Sequence, residues 1–286
     1  MLVTIIGLGL IGGSIGLSLK QNKELGWEIV GYSRSQETVK KALSLGAIER
    51  GETNLKDAVK QAEFVIIATP VLTLREIFYG IAPYLPSGCI VTDTASTKVR
   101  VMKWAEEILP PTVDFIGGHP MAGRETHGIQ AAKDELFRGC AYCLIPSGKA
   151  SSKSIDKVTD MVKKLGAISF FIDAQEHDTL VAGISHLPIL LSAALVSLTT
   201  RNPSWHKMSK LAASGYYDLT RLASGSPEVN AHICLSNQEA IVNWIDKFNK
   251  ELERYRQLVA EGGECLEQTL TEANKARQEW LNNLSA

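Results

Sequence analysis

Three glycines near the start of the chain have the spacing of a nucleotide-binding loop. Gly7, Gly9 and Gly12 form the pattern G-x-G-x-x-G between a β-type run at residues 3–6 and an amphipathic stretch. In that context the first glycine permits a tight turn, the second lets the backbone approach a pyrophosphate, and the third lets helix and strand pack closely. Free N–H groups at the start of the helix attract the anion. The pattern therefore predicts a dinucleotide site of the Rossmann type.

The residues after the second β-type run, 29–32, indicate which dinucleotide binds. An NAD site usually has Asp or Glu there, which accepts hydrogen bonds from the ribose hydroxyls. Here Arg34 stands between two serines, and an arginine pairs with a 2′-phosphate that a carboxylate would repel. We therefore expect NADP, with a solvated loop position as the alternative for Arg34. The expected cofactor-binding residues are Gly7, Gly9, Leu10, Ile11, Gly12, Ser33, Arg34, Ser35, Thr69 and Pro70.

Two further β-type runs are followed by dense polar sequences, at residues 93–98 and 118–128. The carboxyl ends of parallel strands meet at one edge of a sheet, and ligands bind at that edge. Both polar sequences are therefore expected beside the dinucleotide.

Four short motifs follow one another along the chain. They are D-x-x-S-x-K at residues 93–98, G-H-P-M-x-G at 118–123, S-H-L-P at 185–188 and D-L-T-R at 218–221. Together with the glycine loop, this set resembles the prephenate/arogenate dehydrogenases of tyrosine biosynthesis. The resemblance implies the oxidation of a cyclohexadienol with a hydroxyl on C4 and a carboxylate on C1. C4 gives a hydride to the nicotinamide, and the resulting dienone loses CO₂ to become a phenol.

The resemblance assigns catalytic roles to two residues. His119 is the expected general base, because a neutral imidazole takes a proton near neutral pH. Ser96 is expected to share the substrate hydroxyl or to hold the imidazole in its useful tautomer. Asp93 and Lys98 can orient this loop, although a helix cap and a surface charge are their ordinary interpretations.

The carboxylates of such a substrate need cationic partners. Arg221 matches the arginine that holds the substrate in the family, and its planar guanidinium suits a carboxylate. Asp218, three residues earlier, is expected to brace Arg221 on the same helix; a surface ion pair is the alternative. His186 is expected to face the cleft near a kink at Pro188, with a hydrogen-bonded core histidine as the alternative.

The side chain on C1 distinguishes two substrates, since prephenate carries a keto group and arogenate an amine. An ammonium group needs a carboxylate or carbonyl partner, and Glu125, which the resemblance places at the substrate entrance, or Asp218 could supply it. An exposed loop charge is the alternative for Glu125, and Arg124 and His127 are weaker candidates for the same rim. The NADP-type strand end and the compact chain, which resembles the single-function members of the family that are specific for arogenate, favour arogenate, with prephenate as the alternative.

The compact chain also carries an expectation about regulation. The pattern indicates neither a mutase segment before the glycine loop nor a regulatory domain after the last helix. Inhibition by tyrosine would then act at the active site.

Two other functions fit parts of the sequence. A 3-hydroxyacid dehydrogenase of the 6-phosphogluconate type has a similar domain arrangement, but it relies on a lysine in the helical domain. No lysine lies between Lys164 and Lys207. An NADP-sensing protein without turnover needs only the glycine loop, so the joint presence of Ser96, His119 and Arg221 argues against it.

The remaining sequence must position these residues. β-type runs alternate with amphipathic stretches to about residue 165, which predicts a largely parallel sheet. Asp173 then has the position of a helix cap, with acidic Glu176 and Asp178 in the turn that follows. Beyond it we expect a buried apolar helix over residues 180–198, a helix over about 228–259, and a last one after Gly262 and Gly263. We expect an α/β Rossmann-type domain (1–165) and an all-α C-terminal domain (166–286) like that of 6-phosphogluconate dehydrogenase.

Composition limits the partners. A net charge of -1 gives no reason to expect nucleic acid or an anionic membrane, and the apolar run 184–198 is too short to span a bilayer. Five cysteines, an odd number, fit a reducing cytoplasm, and the single C-x-x-C at Cys140 and Cys143 lacks the second pair of a zinc site. The apolar helix and the resemblance together predict a homodimer through the helical domain, with a small-molecule substrate and no metal.

Overall fold

The structure is a computed structural model that describes residues 1–21, 26–123 and 126–285. Within these residues, short aliphatic and β-branched runs form eight strands: β1 (Leu2–Ile6), β2 (Glu28–Tyr32), β3 (Arg50–Glu52), β4 (Phe64–Ile67), β5 (Ile90–Asp93), β6 (Asp114–Pro120), β7 (Ala141–Pro146) and β8 (Ile168–Phe171).

Helices connect the strands and make up the rest of the chain. Those between strands are α1 (Leu10–Gln21), α2 (Gln36–Ser44), α3 (Leu55–Val59), α4 (Leu74–Ile81), α5 (Val99–Ile108) and α6 (Ser152–Lys164). After the last strand come α7 (Ala174–Val181), α8 (Leu187–Thr200), α9 (Trp205–Leu211), α10 (Ser214–Thr220), α11 (Pro227–Ser236), α12 (Gln238–Glu261) and α13 (Glu264–Ser285).

The strands form one sheet in the order β3-β2-β1-β4-β5-β6-β7-β8. The first six are parallel, β7 runs antiparallel to β6, and β8 is parallel to β7. An order of 3-2-1-4-5-6 is that of the doubly wound dinucleotide-binding fold, in which ligands bind where the strand order reverses. The expected Rossmann-type sheet followed by a helical region is therefore confirmed.

The sheet is covered on both faces, which explains its composition. All four residues of β4 are buried, as expected for a central parallel strand with helices on either side. Polar side chains cap the helices that connect the strands: Ser35 begins α2, Asn54 begins α3 and Ser151 begins α6. Asp173 accepts hydrogen bonds from the N–H groups of two residues in α7, which confirms the predicted cap.

Two elements differ from the sequence-based expectation. β3 has no apolar run, because it is a short strand at the edge of the sheet that pairs only with β2. The helix expected over 228–259 is interrupted between α11 and α12 at Asn237. The Asn237 side chain is buried and donates to the Asp178 backbone carbonyl over 2.7 Å, a contact that no local pattern encodes.

α7 and α8 form one continuous helix, Ala174–Thr200, through a widened π-type turn at Ala182–His186. Pro188 has no N–H, so the regular bond to the Ile184 carbonyl cannot form; Leu187 instead donates to Ala182, five residues earlier. This helix is long and apolar enough to cross a bilayer, unlike the shorter run considered alone. A single helix of this kind is weak evidence for a membrane, since helices of soluble proteins share its composition.

The expectation that this apolar helix is buried is wrong for the chain by itself. Leu180, Ile184 and Leu198 are exposed, Ile184 to 72%. Helical periodicity identifies an apolar face, but it does not show whether that face packs inside its own chain or against another surface.

The chain divides into two compact units, Met1–Gln238 and Glu239–Ala286. The second unit contains α13 and all but the first residue of α12. The Arg254 guanidinium of α12 donates a hydrogen bond to the Thr269 hydroxyl of α13 over 3.5 Å. A domain boundary after residue 165 was predicted because the alternation of β-type runs and amphipathic stretches ends there, and it stays a prediction.

Candidate active site

The glycine loop lies where β1 and β4 end. Gly7 has a φ of +98°, and a Cβ there would come within 2.5 Å of the Ala68 carbonyl oxygen. A Cβ on Gly12 would lie 1.9 Å from the Gly7 carbonyl oxygen. Around Gly9, by contrast, nothing lies within 4 Å of an added Cβ. Gly7 and Gly12 are thus required by the protein's own packing, whereas Gly9 leaves open space at the start of α1, which fits a bound pyrophosphate.

A cavity of about 360 Å³ opens beside this loop. Of the expected cofactor-binding residues, it is lined by Gly9, Leu10, Ile11, Thr69 and Pro70. Its other walls are formed by residues after β4, β5 and β6 and by the region around α11: Ala68, Val71, Thr94, Ala95, Ser96, Ala122, Gly123, Thr126, His127, Gly128, Gly225, Ser226, Val229, Asn230 and Ile233. Among the lining residues that the structure describes, none is acidic.

Ser33, Arg34 and Ser35 follow β2, and the Arg34 side chain is exposed. The Ser35 hydroxyl accepts from the Thr38 N–H, and the Ser33 hydroxyl accepts from the Ser35 N–H, each over 3.2 Å. Both hydroxyls act as acceptors in these bonds, so each retains a proton that it can donate to an anion.

His119 lies near the end of β6 and is 8% exposed. Its Nδ1 is 2.9 Å from Nε2 of His177, whose own Nδ1 is 2.8 Å from a carboxylate oxygen of Asp178. Burial holds the pKa of His119 well below its usual value, and the charge of the nearby Lys98 acts in the same direction. The imidazole is therefore neutral at physiological pH, the state in which it can accept a proton.

Lys98 is fully buried, so its interpretation as a surface charge is wrong. Its ammonium forms an ion pair with Asp93 and donates to the Gly118 carbonyl over 2.7 Å. Asp93 accepts in turn from the N–H groups of Ala95 and Gly118, at 2.8 and 3.0 Å. This pair ties the end of β5 to the residue immediately before His119 and fixes the backbone there. Burial lowers the pKa of Lys98, and the charge of Asp93 opposes that shift.

Ser96 lines the cavity, but the hydrogen bond of the His119 imidazole goes to His177 rather than to Ser96. His186 is buried beside the Ser96 backbone, and its Nδ1 lies 3.4 Å from the Asn237 amide nitrogen. Burial lowers the pKa of His186 to about 4. His186 is thus a neutral hydrogen-bonding group at physiological pH and not a cation for a carboxylate.

The other expected substrate-binding residues are placed differently. Asp218 lies in α10, and Arg221 begins the short 3₁₀ turn Arg221–Ser224 directly after it. Both are exposed and neither lines the cavity in the single chain. Glu125 and Arg124 lie outside the described residues, whereas His127 is in the cavity wall.

Family models match most of the chain. Residues 15–170 match the nucleotide-binding domain of prephenate dehydrogenase, and residues 173–272 match its dimerization domain. The chain belongs to the prephenate dehydrogenase family. Within this family, prephenate dehydrogenase of Bacillus subtilis is 36% identical over 263 residues, which cover 90% of this chain and 70% of that protein.

Solved structures of the family have the same fold. A prephenate dehydrogenase from A. aeolicus, in complex with hydroxyphenyl propionate and NAD+, superposes with a TM-score of 0.90 at 32% identity and covers 98% of both chains. The arogenate dehydrogenase of Synechocystis superposes with a TM-score of 0.82 at 28% identity, over 98% of this chain and 100% of that one.

Sequence reasoning missed His177 and the role of Asp178. Asp178 was expected only as an acidic residue near a helix start, yet it is buried and accepts from the N–H groups of Lys98 and Val99 at 2.7 and 2.9 Å. A signal was present, because a His-Asp pair in a helix that becomes strongly apolar three residues later needs partners if it is buried. The partners lie about 60 to 80 residues away in sequence, so the pattern could not name them.

Proposed function

We propose that this protein catalyses the oxidative decarboxylation of prephenate to 4-hydroxyphenylpyruvate, with NADP as the hydride acceptor. The observation that carries the proposal is a buried, neutral imidazole, His119, on the strand that leads into the wall of the cavity beside the dinucleotide loop. A base that is neutral at the operating pH is what removal of a hydroxyl proton requires.

The protein's part in the reaction is the handling of one proton. His119 accepts the proton of the C4 hydroxyl as C4 becomes a carbonyl. When the bond between C1 and its carboxylate breaks, the electron pair flows through the ring to the C4 oxygen and CO₂ leaves. His119 then returns the proton to that oxygen, so the product is a phenol and the imidazole is neutral again.

The cofactor would be held by Gly7, Gly9 and Gly12 together with the start of α1, with Thr69 and Pro70 flanking it. When bound, the oxidised nicotinamide supplies the acceptor for the hydride that leaves C4. Arg34, with Ser33 and Ser35, would pair with the 2′-phosphate of NADP. The carboxylate beside this strand end is that of Glu52, the register partner of Tyr32 on β3, and it is already paired with the Arg50 guanidinium at 3.9 Å.

Prephenate is preferred to arogenate because the described cavity wall has no acidic residue to meet an ammonium group. The two buried carboxylates nearby, Asp93 and Asp178, are already engaged by Lys98 and by backbone N–H groups. The relatives from Bacillus subtilis and A. aeolicus are named for prephenate. Arogenate is the second candidate, supported by the NADP-type end of β2 and by the similarity to the Synechocystis enzyme.

Four steady-state assays test this proposal: prephenate and arogenate, each with NADP and with NAD, followed by the absorbance of the reduced nicotinamide. We expect the highest kcat/KM with prephenate and NADP. A clear preference for arogenate would show that an ammonium acceptor is present and reverse the choice of substrate. Absence of turnover in all four assays would overturn the enzyme assignment.

Arg34→Ala tests the choice of cofactor. Loss of a bidentate, charge-assisted pair should raise the KM for NADP about 10- to 100-fold, while the KM for NAD stays within a factor of two of the parent. Arg138→Ala, which removes an exposed arginine from a loop far along the chain, is the matched control and should change neither. Equal effects of Arg34→Ala on both cofactors would argue against a 2′-phosphate site.

We also propose that two copies of this chain associate through the exposed apolar side of Ala174–Thr200. Leu180, Ile184 and Leu198 are uncovered in the single chain, and the matching family model is described as a dimerization domain. Sedimentation velocity at micromolar concentration should show a dimer. The double variant Ile184→Glu/Leu198→Glu should sediment as a monomer, and a monomeric parent protein would contradict the proposal.

A further inference from the structure

The geometry points to His177 and Asp178 as a positioning pair that holds His119 in one tautomer, with its Nε2 as the proton acceptor. This inference deepens the proposed function, because it rests on His119 as the base. His177 would touch neither substrate nor cofactor. It would act only through the imidazole of His119.

Asp178 is the last member of a buried series of contacts that runs from His119 through His177. One carboxylate oxygen accepts from the Lys98 N–H at 2.7 Å and the other from the Val99 N–H at 2.9 Å. These N–H groups belong to the start of α5, where helix donors lack internal partners. Two backbone donors stabilise the ionised carboxylate, which can only accept hydrogen bonds.

The tautomer of His177 follows from the acceptor character of Asp178. His177 must donate its Nδ1–H to the carboxylate across the 2.8 Å contact, so neutral His177 keeps a lone pair on Nε2. That lone pair lies 2.9 Å from Nδ1 of His119, which must therefore carry the hydrogen. Neutral His119 is left with an unprotonated Nε2, and this is the nitrogen available to a substrate hydroxyl.

The competing arrangement is a doubly protonated His177, which would donate to both neighbours and force the hydrogen of His119 onto Nε2. The groups that face His119 do not favour it. Lys98 is already a buried cation on one side, compensated by Asp93. His186, buried beside the same loop, is neutral because burial lowers its pKa. Cys143, the register partner of His119 on β7, is neutral because burial raises the pKa of its thiol. Neither residue therefore supplies a negative charge. A doubly protonated His177 would thus be a second buried cation beside Lys98, and Asp178 alone would have to balance it.

The pair also matters after the proton has moved. A protonated His119 donates from Nδ1 to the Nε2 of His177, and a hydrogen bond from a charged donor is stronger than a neutral one. The contact between His119 and His177 and that between His177 and Asp178 are both buried, so bulk water does not compete for these hydrogen bonds. The order of the groups resembles that of a Ser-His-Asp triad, except that a second histidine, His177, lies between the base and the carboxylate.

Nitrogen-15 NMR of the full chain, without substrate and near neutral pH, tests the tautomers directly. We expect both His119 and His177 in the Nδ1–H form, with assignments taken from His119→Asn and His177→Gln. An Nε2–H form of His119, or a doubly protonated His177, would overturn the inference. Since this measurement needs no turnover, it remains decisive even if the protein does not oxidise prephenate.

Kinetics of two His177 variants give the second test. His177→Leu removes the acceptor and should lower kcat about 100-fold, with little change in the KM for prephenate. His177→Gln places an amide oxygen near the position of Nε2 and should recover most of that loss. Thr179→Ala, at an exposed position on the same helix, is the matched control and should have the parent kcat.

The pH profile separates positioning from a structural role. Without the acceptor, the protonated form of His119 is less stable, so the acid limb of kcat/KM should move to lower pH in His177→Leu. An acid limb that moves to higher pH would mean that a cationic His177 had been removed. Equal losses in the Leu and Gln variants would indicate packing alone, and either result contradicts the inference.

Asp178→Ala provides a further test if His177→Leu does not fold. It removes the oxygen that accepts from Nδ1 of His177, so nothing fixes the hydrogen of His177 on Nδ1 and His119 should populate both its Nδ1–H and Nε2–H forms. We expect kcat to fall, by up to about 10⁴-fold as for the aspartate of a serine-protease triad. A His119 that stays entirely in the Nδ1–H form in this variant would contradict the proposed positioning pair.

Discussion

The candidate site has two sides, the dinucleotide loop and the surroundings of His119, and they are built differently. The dinucleotide side consists of backbone: Gly7 and Gly12 are needed because any side chain would strike a carbonyl oxygen, and Gly9 leaves space. The His119 side consists of buried polar side chains, with Lys98, Asp93, His177 and Asp178 all less than about a tenth exposed. The loop itself spans six residues, although Gly7 also packs against Ala68, whereas the His119 side joins segments as much as 80 residues apart.

This difference has a consequence for how each side fails. A backbone site loses function when a side chain is added, because the added atoms strike the backbone packed against the turn. A buried polar network fails when one member is removed, because its partner is left charged or unsatisfied away from water. Substitutions on the two sides should therefore separate into losses of cofactor binding and losses of turnover or stability.

The largest effect is expected for His119→Asn. The variant keeps a polar side chain but has no group that can accept a proton near neutral pH, so kcat should fall by about 10²- to 10⁴-fold. NADP affinity, measured by fluorescence titration, should stay within a factor of two because the glycine loop is untouched. Parent-like turnover would remove His119 as the base.

Breaking the buried ion pair should be the largest effect on stability. Lys98→Met leaves Asp93 buried without its cation, and such changes cost about 3–5 kcal/mol of unfolding free energy. The double variant Asp93→Asn/Lys98→Met leaves no buried charge and should recover part of the loss. Urea unfolding measures the free energy of unfolding of both variants. If the single variant is as stable as the double variant, the unpaired Asp93 carboxylate does not destabilise the protein.

A matched pair of glycine substitutions tests the backbone side. Gly12→Ala places a methyl group 1.9 Å from the Gly7 carbonyl oxygen, and overpacking of this kind costs about 1–3 kcal/mol, so both Tm and NADP affinity should fall. Gly9→Ala meets no protein atom within 4 Å, so Tm should stay unchanged while NADP affinity falls. A normal NADP affinity in Gly9→Ala would place the pyrophosphate elsewhere.

The smallest effect concerns pH and stability. His186 has a folded pKa of about 4, below its usual value near 6.5 in the unfolded chain. Between these values the unfolded chain holds a proton that the folded chain refuses, so stability is lost as pH falls, by about 1.4 kcal/mol per pH unit. His186→Gln should reduce this slope of unfolding free energy against pH. Identical slopes in the variant and the parent would mean that His186 does not titrate differently on folding.

Much of the fold could be read from the sequence. Buried central strands carry continuous apolar runs, and caps such as Asp173 mark helix starts, so β1, β2, the largely parallel sheet and the start of α7 were expected nearly as found. β3 was missed because an edge strand of three polar residues has no periodicity. The break at Asn237 was missed because its cause is a tertiary hydrogen bond to Asp178.

The candidate site divides in the same way. The glycine loop, Ser96 and His119 were identified because their motifs are contiguous, and the structure places the loop and Ser96 around one cavity, with His119 on the strand that leads into its wall. Arg221 and Asp218 were expected at the substrate but lie exposed outside that cavity in the single chain. The preference for arogenate rested on the strand end and the chain length, and neither of these reports what lines the cavity.

The sequence alone determined the features that a few neighbouring residues encode. These are a turn that only glycine can make, a strand end without a carboxylate, and a histidine followed by proline at the end of a strand. Tertiary structure decided which of those side chains become chemically useful. Burial and the contacts of His177, Asp178, Lys98 and Asp93 set the charge and orientation of His119, and electrostatic effects of this kind depend on distance in space rather than on separation along the chain.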